Sequence, residues 1–369
     1  MTVKFIPLYK PFINKDEKFN VNKCLNDNWI SSSGEFISKF EKEFSKYTKI
    51  KYCTTTSNGT VALHLALRVL NIKRNDEVIV PAFTYIASVN CISYVGAKAV
   101  FCDSDINTGQ ISVNDIQKRI TKKTKVIIVP HLYGNVANIA KLLEIKKKFN
   151  LFIVEDCAEA IGSFYKKKHV GNFGDISTFS FFGSKTITTG EGGMICTNNK
   201  SFFIKAKKLK GQGLSDNNKK LYYWHDEIGY NYRMTNICAA IGLAQMKKID
   251  HILKKKIILN KKYTNGLKQN KIQFLTTDKN SKSSYWLNCL ILDSKKKRDK
   301  LMNYLKKFKI ETRNTFYLVN EMKMYKKKKL NFLNAKLLSS KGLCLPSYPN
   351  ISENDFKFII NKINDFLNK

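Results

Sequence analysis

Arginine is scarce in a chain otherwise crowded with cations. Of 65 Lys and Arg residues, only Arg68, Arg74, Arg119, Arg233, Arg298 and Arg313 are arginine, against 29 Asp and Glu, for a net charge of +36. Proteins that read nucleic acid favour Arg, whose flat fork grips phosphate and guanine. Here the lysines are spread over the whole 369 residues beside abundant Asn and Ile, the pattern of AT-rich codon usage. The charge is therefore read as solvated surface, although a positive field still favours an anionic substrate. No nucleic-acid-binding module is recognisable. No CxxC pair occurs among the nine cysteines, most of which sit inside apolar runs. That excludes a disulfide framework and predicts reduced, buried thiols. The start, MTVKFIPLYKPF, lacks a signal-length apolar stretch, and runs such as VIIVP and LFIV are too short to cross a bilayer. A soluble, cytoplasmic protein is expected, with no membrane span. The five histidines are scattered without zinc spacing, so no metal is expected, and no GxGxxG is present.

What is present is alternation. EVIVP (77–81), AKAVFCD (97–103), KVIIVP (125–130) and LFIVED (151–156) read as buried strands, with amphipathic stretches at 84–94, 113–120 and 137–149 between them. Strand and helix in turn predict βαβ units, a largely parallel sheet and helices on both faces. Two more strands are expected at 175–181 and 193–197. A long helical connection is expected at 235–268, then a strand at 285–293 and helices at 295–308 and 353–367. The division expected is a large domain over 1–245 and a smaller α+β domain over 246–369, without repeats or a long linker.

Four segments carry candidate chemistry. Asp156 ends an apolar strand, where an open α/β sheet presents ligands. Its carboxylate could hold a pyridinium nitrogen protonated, cap a helix or ligate a metal. In FSFFGSKTITTGEGGM, Lys185 stands between an aromatic strand and a glycine-rich stretch. A desolvated lysine there could form a Schiff base. The P-loop alternative fails, because Ser184 and not glycine precedes the lysine and no glycine stands five residues before Gly183. The remaining alternative is an ordinary surface lysine. Ser57, Asn58, Gly59 and Thr60 open a helical run and suit either a phosphate or a simple N-cap. GYNYRMTN (229–236) has the aromatic and polar make-up of a binding loop, or of a loop packed on its own chain.

Taken together these segments, with NDNWISSSGEFISKFEKEF, DEVIVPAFTYIASVN, VEDCAEAIGS and GLCLPSYPN, resemble the nucleotide-sugar aminotransferase (DegT) family along nearly the whole chain. The resemblance implies the type I pyridoxal-phosphate fold and pyridoxal 5'-phosphate as cofactor. It implies Lys185 as the residue that carries the cofactor and shuttles protons, and Asp156 as the partner of the ring nitrogen. It implies Tyr85 stacked on the ring, Glu159 near its phenolic oxygen, and Ser57, Asn58, Gly59, Thr60 and Ser180 around the phosphate. Asn231 matches a residue that reaches the phosphate of the partner subunit's cofactor, which implies a homodimer with shared active sites. FFGSKTITTGEGGM and YWHDEIGYNYRMTNICAAIGLAQ look most like the branch that makes GDP-perosamine. The implied reaction then moves the amino group of L-glutamate onto a nucleotide-linked keto sugar, GDP-4-keto-6-deoxy-D-mannose, for surface polysaccharide. UDP- or dTDP-linked sugars are the alternative. A sugar 3-dehydratase of the same fold is disfavoured, because those relatives carry His where this chain has Lys185. The sequence departs from the family after Glu311-Thr312-Arg313, where a Pro-containing FYPLH-type segment is usual and Phe316-Tyr317-Leu318-Val319-Asn320 stands instead. Arg313, Tyr317 and Asn320 are the expected substrate contacts, with Asn320 at the usual His position.

Overall fold

Short runs of β-branched residues with apolar side chains at every position cannot leave a face to water, and they form the middle of the molecule. The computed structural model describes residues 4–215, 223–267, 272–326 and 330–368. Two helices, α1 (Lys15–Asn26) and α2 (Glu35–Thr48), precede strand β1 (Tyr52–Thr56). Then come α3 (Gly59–Val69), β2 (Glu77–Pro81), α4 (Ala87–Tyr94), β3 (Lys98–Cys102), α5 (Val113–Arg119), β4 (Thr124–Pro130), α6 (Ile139–Phe149) and β5 (Phe152–Asp156). A small hairpin, β6 (Phe164–Tyr165) and β7 (Lys168–His169), leads to β8 (Ile176–Ser180), β9 (Gly193–Thr197) and α7 (Lys200–Lys210). The remainder is α8 (Asn236–Met246), α9 (Ile249–Gly266), β10 (Ile272–Phe274), β11 (Ser281–Lys282), β12 (Asn288–Leu292), α10 (Lys295–Lys307), β13 (Arg313–Asn314), α11 (Leu333–Lys341), β14 (Gly342–Leu345) and α12 (Glu353–Leu367).

Seven strands make the central sheet in the order β1-β9-β8-β5-β4-β2-β3. Neighbours from β8 to β3 pair in parallel, while β9 runs antiparallel to both β1 and β8. The period of two sorts the side chains. Val78, Val80, Val126, Ile128 and Val154 pack in one cluster with residues of α3 and α4. Ile79, Ile127, Val129 and Ile153 pack with Ile116 of α5 and Leu142 and Ile145 of α6. Phe179, Phe181 and Met194 instead meet Phe40 and Phe44 of α2 and Ala239 and Ala240 of α8. A second, four-stranded sheet, β10-β12-β14-β13, is covered by α9, α10 and α12 through Leu259, Tyr263, Leu301, Leu305, Phe356 and Ile359. Residues near the start of the chain join this second sheet's side: Ile6 bridges Ile310, and Ser347 donates its N–H to the Leu8 carbonyl.

Local chemistry sets the ends. Asn58, Asn138 and Asn199 cap α3, α6 and α7 with side-chain oxygens, and Asn14 with Glu17 completes a capping box on α1. The asparagines of an AT-rich sequence are thus used as caps. The connection expected as one helix over 235–268 is two, broken at Lys247-Lys248; residue 268 lies outside the described residues. The corner is pinned because Gln245 donates to the Phe12 carbonyl at 2.7 Å and Lys248 pairs with the buried Glu17. The strand expected from Tyr285 begins only at Asn288, since Tyr285 adopts φ +50° and leaves the extended region. Among the described residues no helix is long and apolar enough to cross a membrane.

Candidate active site

The carboxyl ends of the parallel strands deliver the chemical groups to one edge, as open α/β sheets do. Asp156 is the last residue of β5, Ser180 the last of β8, and Thr56 the last of β1, just before Ser57. The loop after β2 carries Tyr85, and the loop after β4 carries Tyr133.

Asp156 is buried and held from two sides. Its Oδ2 accepts from Ser88 Oγ at 2.6 Å and its Oδ1 from the Ala158 N–H at 3.1 Å. Neither partner is a cation, which leaves the carboxylate to meet a cationic ligand. Lys185 sits on the loop between β8 and β9. That loop is anchored by Phe181, fully buried and edge-on to Phe40 and Phe44. The Phe181 N–H donates to the Gly192 carbonyl, and the Thr189 N–H to that of Phe181, at 2.8 and 2.9 Å. The Lys185 side chain is 12 % exposed; its Nζ lies 3.5 Å from Glu159 Oε1 and 4.2 Å from the centre of the Trp286 ring. Burial pushes the Glu159 carboxyl up to about 7, and the Lys185 ammonium works against that push. Glu159 is further fixed by the Tyr133 N–H, which donates to Oε2 at 2.8 Å. The surface-lysine alternative for Lys185 is therefore set aside by burial and an acidic partner.

At the start of α3, Asn58 accepts from the Val61 N–H at 3.0 Å and so acts as the N-cap. The N–H groups of Gly59 and Thr60 belong to the first helical turn, which has no intrahelical acceptors. Gly59 faces Ser180 so closely that an added Cβ would lie 2.7 Å from the serine's Cβ. Helix start and Ser180 hydroxyl thus share one small space where only glycine fits. Half-buried Ser57 is tied down, donating its N–H to the Tyr232 carbonyl at 2.9 Å. This cluster of donors fits a phosphate. The carboxylate at Asp156, the amine at Lys185 and the ring of Tyr85 fit the remainder of a pyridoxal ring.

Aromatic rings link the other residues. Tyr85, half-exposed, lies 5.9 Å from Phe316, which stacks on Tyr133 at 5.1 Å; Tyr133 in turn lies nearly parallel to Trp286 at 6.2 Å. Tyr133 and Trp286 are site residues that sequence reasoning missed. Tyr133 holds φ +58°, which nothing in its residue type announces, and Trp286 comes from the second sheet's side of the chain. Ser88 and Tyr9 were missed for the same reason of remoteness: the Tyr9 hydroxyl donates to the Lys185 carbonyl at 2.6 Å.

The expected substrate contacts lie in β13 and in the segment that follows it. Tyr317 is exposed, with its hydroxyl accepting from Asn314 Nδ2 at 2.5 Å. Arg313 is exposed and pairs with Glu311 at 2.9 Å. Asn320 is buried, and its Oδ1 has no hydrogen-bond partner among the described residues. Asn231 is exposed, pairs with Gly211 and accepts from Arg233 Nε at 3.1 Å. Its neighbours Tyr230 and Tyr232 stack on each other at 4.8 Å, and the Tyr232 hydroxyl meets His64 Nδ1 at 3.0 Å, so this loop packs in part on its own chain. His131, Glu155 and Cys157 place ligand atoms within 4.8 Å of one another. Glu155 is already engaged by His131 and by the N–H groups of Gly171, Phe173 and Gly174, which makes the cluster a brace under β5.

The chain is 49 % identical over 367 residues to the GDP-perosamine synthase of Escherichia coli O157:H7, covering 99 % of each. It is 43 % identical to the GDP-perosamine synthase of Vibrio cholerae, covering 98 % of this chain and 99 % of that one. Among solved structures, Spr1654 of Streptococcus pneumoniae in its PMP form superposes with a TM-score of 0.92 at 28 % identity, covering 99 % of each chain. The aminotransferase from Psychrobacter cryohalolentis gives 0.93 at 28 % identity and 99 % of each. Residues 11–364 match the family model, and the chain belongs to the DegT/DnrJ/EryC1/StrS aminotransferase family.

Proposed function

We propose that this chain transfers the amino group of L-glutamate to GDP-4-keto-6-deoxy-D-mannose, forming GDP-perosamine, with pyridoxal phosphate as cofactor. The observation that carries the chemistry is the convergence of buried Asp156, the Lys185–Glu159 pair and the glycine-lined start of α3 at one sheet edge. The substrate follows from the likeness to chains named GDP-perosamine synthase. Gly59, Thr60 and Ser180, with Ser57 and Asn58 shaping their turn, would hold the phosphate; Asp156 would meet the ring nitrogen, and Tyr85 the ring face. When bound, the cofactor supplies an aldehyde and an electron-accepting ring. Lys185 moves protons at its Nζ, and Glu159, 3.5 Å away, takes a proton from the ammonium when ionised. Arg313, Tyr317 and Asn320 would serve the sugar nucleotide. Asn231, exposed in the single chain, would reach the partner's phosphate in a homodimer. The nine unpaired thiols, eight of them buried, suit a reducing cytoplasm. The seven-stranded sheet ends at Thr197 and the four-stranded sheet begins at Ile272, in keeping with cofactor-binding (1–245) and smaller (246–369) units.

The test is kcat/KM for the GDP-, UDP- and dTDP-linked 4-keto-6-deoxy sugars with glutamate. The GDP sugar is expected to lead, because a site hydrogen-bonded to guanine leaves buried groups unpaired with other bases. Preference for a UDP or dTDP sugar by about tenfold, or 1.4 kcal/mol, would overturn the perosamine assignment and leave the aminotransferase one standing.

A second expectation concerns pH. Glu159 has a folded-state pKa raised from 4.5 to about 7. Its stability contribution is therefore fully present below 4.5 and lost as pH rises through 7. Its proton-accepting form appears over the same rise, so wild-type kcat should climb through about pH 7. In Glu159→Gln both the climb and the accompanying loss of stability should flatten. A Gln variant whose pH–kcat curve and pH-dependent urea midpoints match wild type would remove Glu159 from proton transfer.

A further inference from the structure

A buried lysine outside the machinery described so far has no acidic partner. Lys256 of α9 is 1 % exposed, and among the described residues no carboxylate pairs with it. Its Nζ donates to the Ser347 carbonyl at 2.7 Å and the Trp286 carbonyl at 3.0 Å, and lies 5.0 Å from the centre of the Tyr9 ring. Burying a cation on carbonyls and a ring alone is costly, so its retention calls for a use.

The use lies one residue further along each contact. The Tyr9 hydroxyl donates to the Lys185 carbonyl at 2.6 Å, and Trp286 Nε1 donates to the Ser184 carbonyl at 2.7 Å. The Trp286 indole also faces Lys185 Nζ. Two consecutive carbonyls of the Lys185 loop are thus gripped by two side chains from distant parts of the sequence, and both of those residues lie against the Lys256 ammonium. The side of the loop gripped here faces the second sheet's half of the chain; strands β8 and β9 fix its two ends.

We propose that Lys256 is a positioning residue for Lys185, its ammonium joining Tyr9, Trp286 and the 347 carbonyl into a clamp that holds the 184–185 backbone. The inference rests on Lys185 being the reactive lysine. Burial lowers the Lys256 pKa to about 7, while the carbonyls and the Tyr9 ring favour the charged form. The titratable groups nearest by sequence and contact are Tyr9 from the N-terminal segment, Tyr263 on the same helix and Tyr348 beside Ser347. Burial raises all three, so they stay neutral while Lys256 titrates.

The experiment measures Lys185 itself. The full chain, stripped of cofactor, is trace-acetylated across neutral pH, and the Lys185 peptide is quantified against that of exposed Lys147. Lys256→Met should speed Lys185 acetylation by about tenfold, the scale of a lost charge-assisted hydrogen bond. Lys256→Arg should restore the wild-type rate. A Met variant with the wild-type rate, or an Arg variant indistinguishable from Met, overturns the proposal. Should Lys256→Met fail to fold, Tyr9→Phe decides, since it deletes only the hydroxyl that grips the Lys185 carbonyl. Faster labelling supports the clamp, and unchanged labelling sinks it. Labelling is independent of transamination, so missing aminotransferase activity would overturn the proposed function, whereas the labelling rates alone decide the clamp.

Discussion

Lys185→Ala is expected to leave a folded protein that forms no measurable product. The methyl group removes both the amine that would carry the cofactor and the base that moves protons, and no neighbour substitutes for it. Lys210 and Lys256, two lysines whose pKa burial lowers, donate to the Thr55 carbonyl and to the Ser347 and Trp286 carbonyls. Loss of a combined nucleophile and acid–base group is worth about three to four powers of ten in rate. Folding should survive, because Phe181 and the hydrogen bonds of residues 181, 189 and 192 anchor the loop without the side chain. Glu159, left without its ammonium, simply keeps its proton to higher pH. The measurements are product formation and borohydride reduction of the yellow wild-type enzyme followed by peptide mapping. Cofactor fixed to any lysine other than Lys185, or no uptake at all, would end the assignment.

The next largest effect is expected from Asp156→Asn. An amide fits the same two contacts, with its oxygen accepting from the Ala158 N–H and its nitrogen donating to Ser88 Oγ in place of the present bond. Stability should therefore change little. What disappears is the negative charge, and a neutral amide cannot keep a ring nitrogen protonated. A lost charge-assisted contact in a buried site is worth on the order of 2–3 kcal/mol, or about two powers of ten in kcat. Wild-type kcat in a folded Asn variant would refute the pairing of Asp156 with the ring.

Much of this site was legible because its central residues follow directly from local pattern. Asp156 is readable as the end of an apolar run, Lys185 as a lone lysine between buried aromatics and glycines, and Gly59-Thr60 as a helix start. The parallel sheet was readable for the same reason, since the unbroken apolar runs at 78–81, 126–130 and 151–154 demand cover on both faces. Local pattern could not supply Ser88, Tyr133, Trp286, Tyr9 or Lys256, each of which joins the site across a long stretch of sequence. Nor could it show that α8 and α9 are separate helices, a break imposed by Gln245 and Lys248 reaching back to residues 12 and 17.

The sequence by itself determined the fold class, the strands and helices that build it and the family, because hydrophobic period, caps and the composite of short motifs are local properties. Only the tertiary structure decided which groups meet Lys185: a glutamate with a pKa near 7, a tryptophan face and a tyrosine hydroxyl. Burial and distance create those effects, and both arise when remote segments pack together.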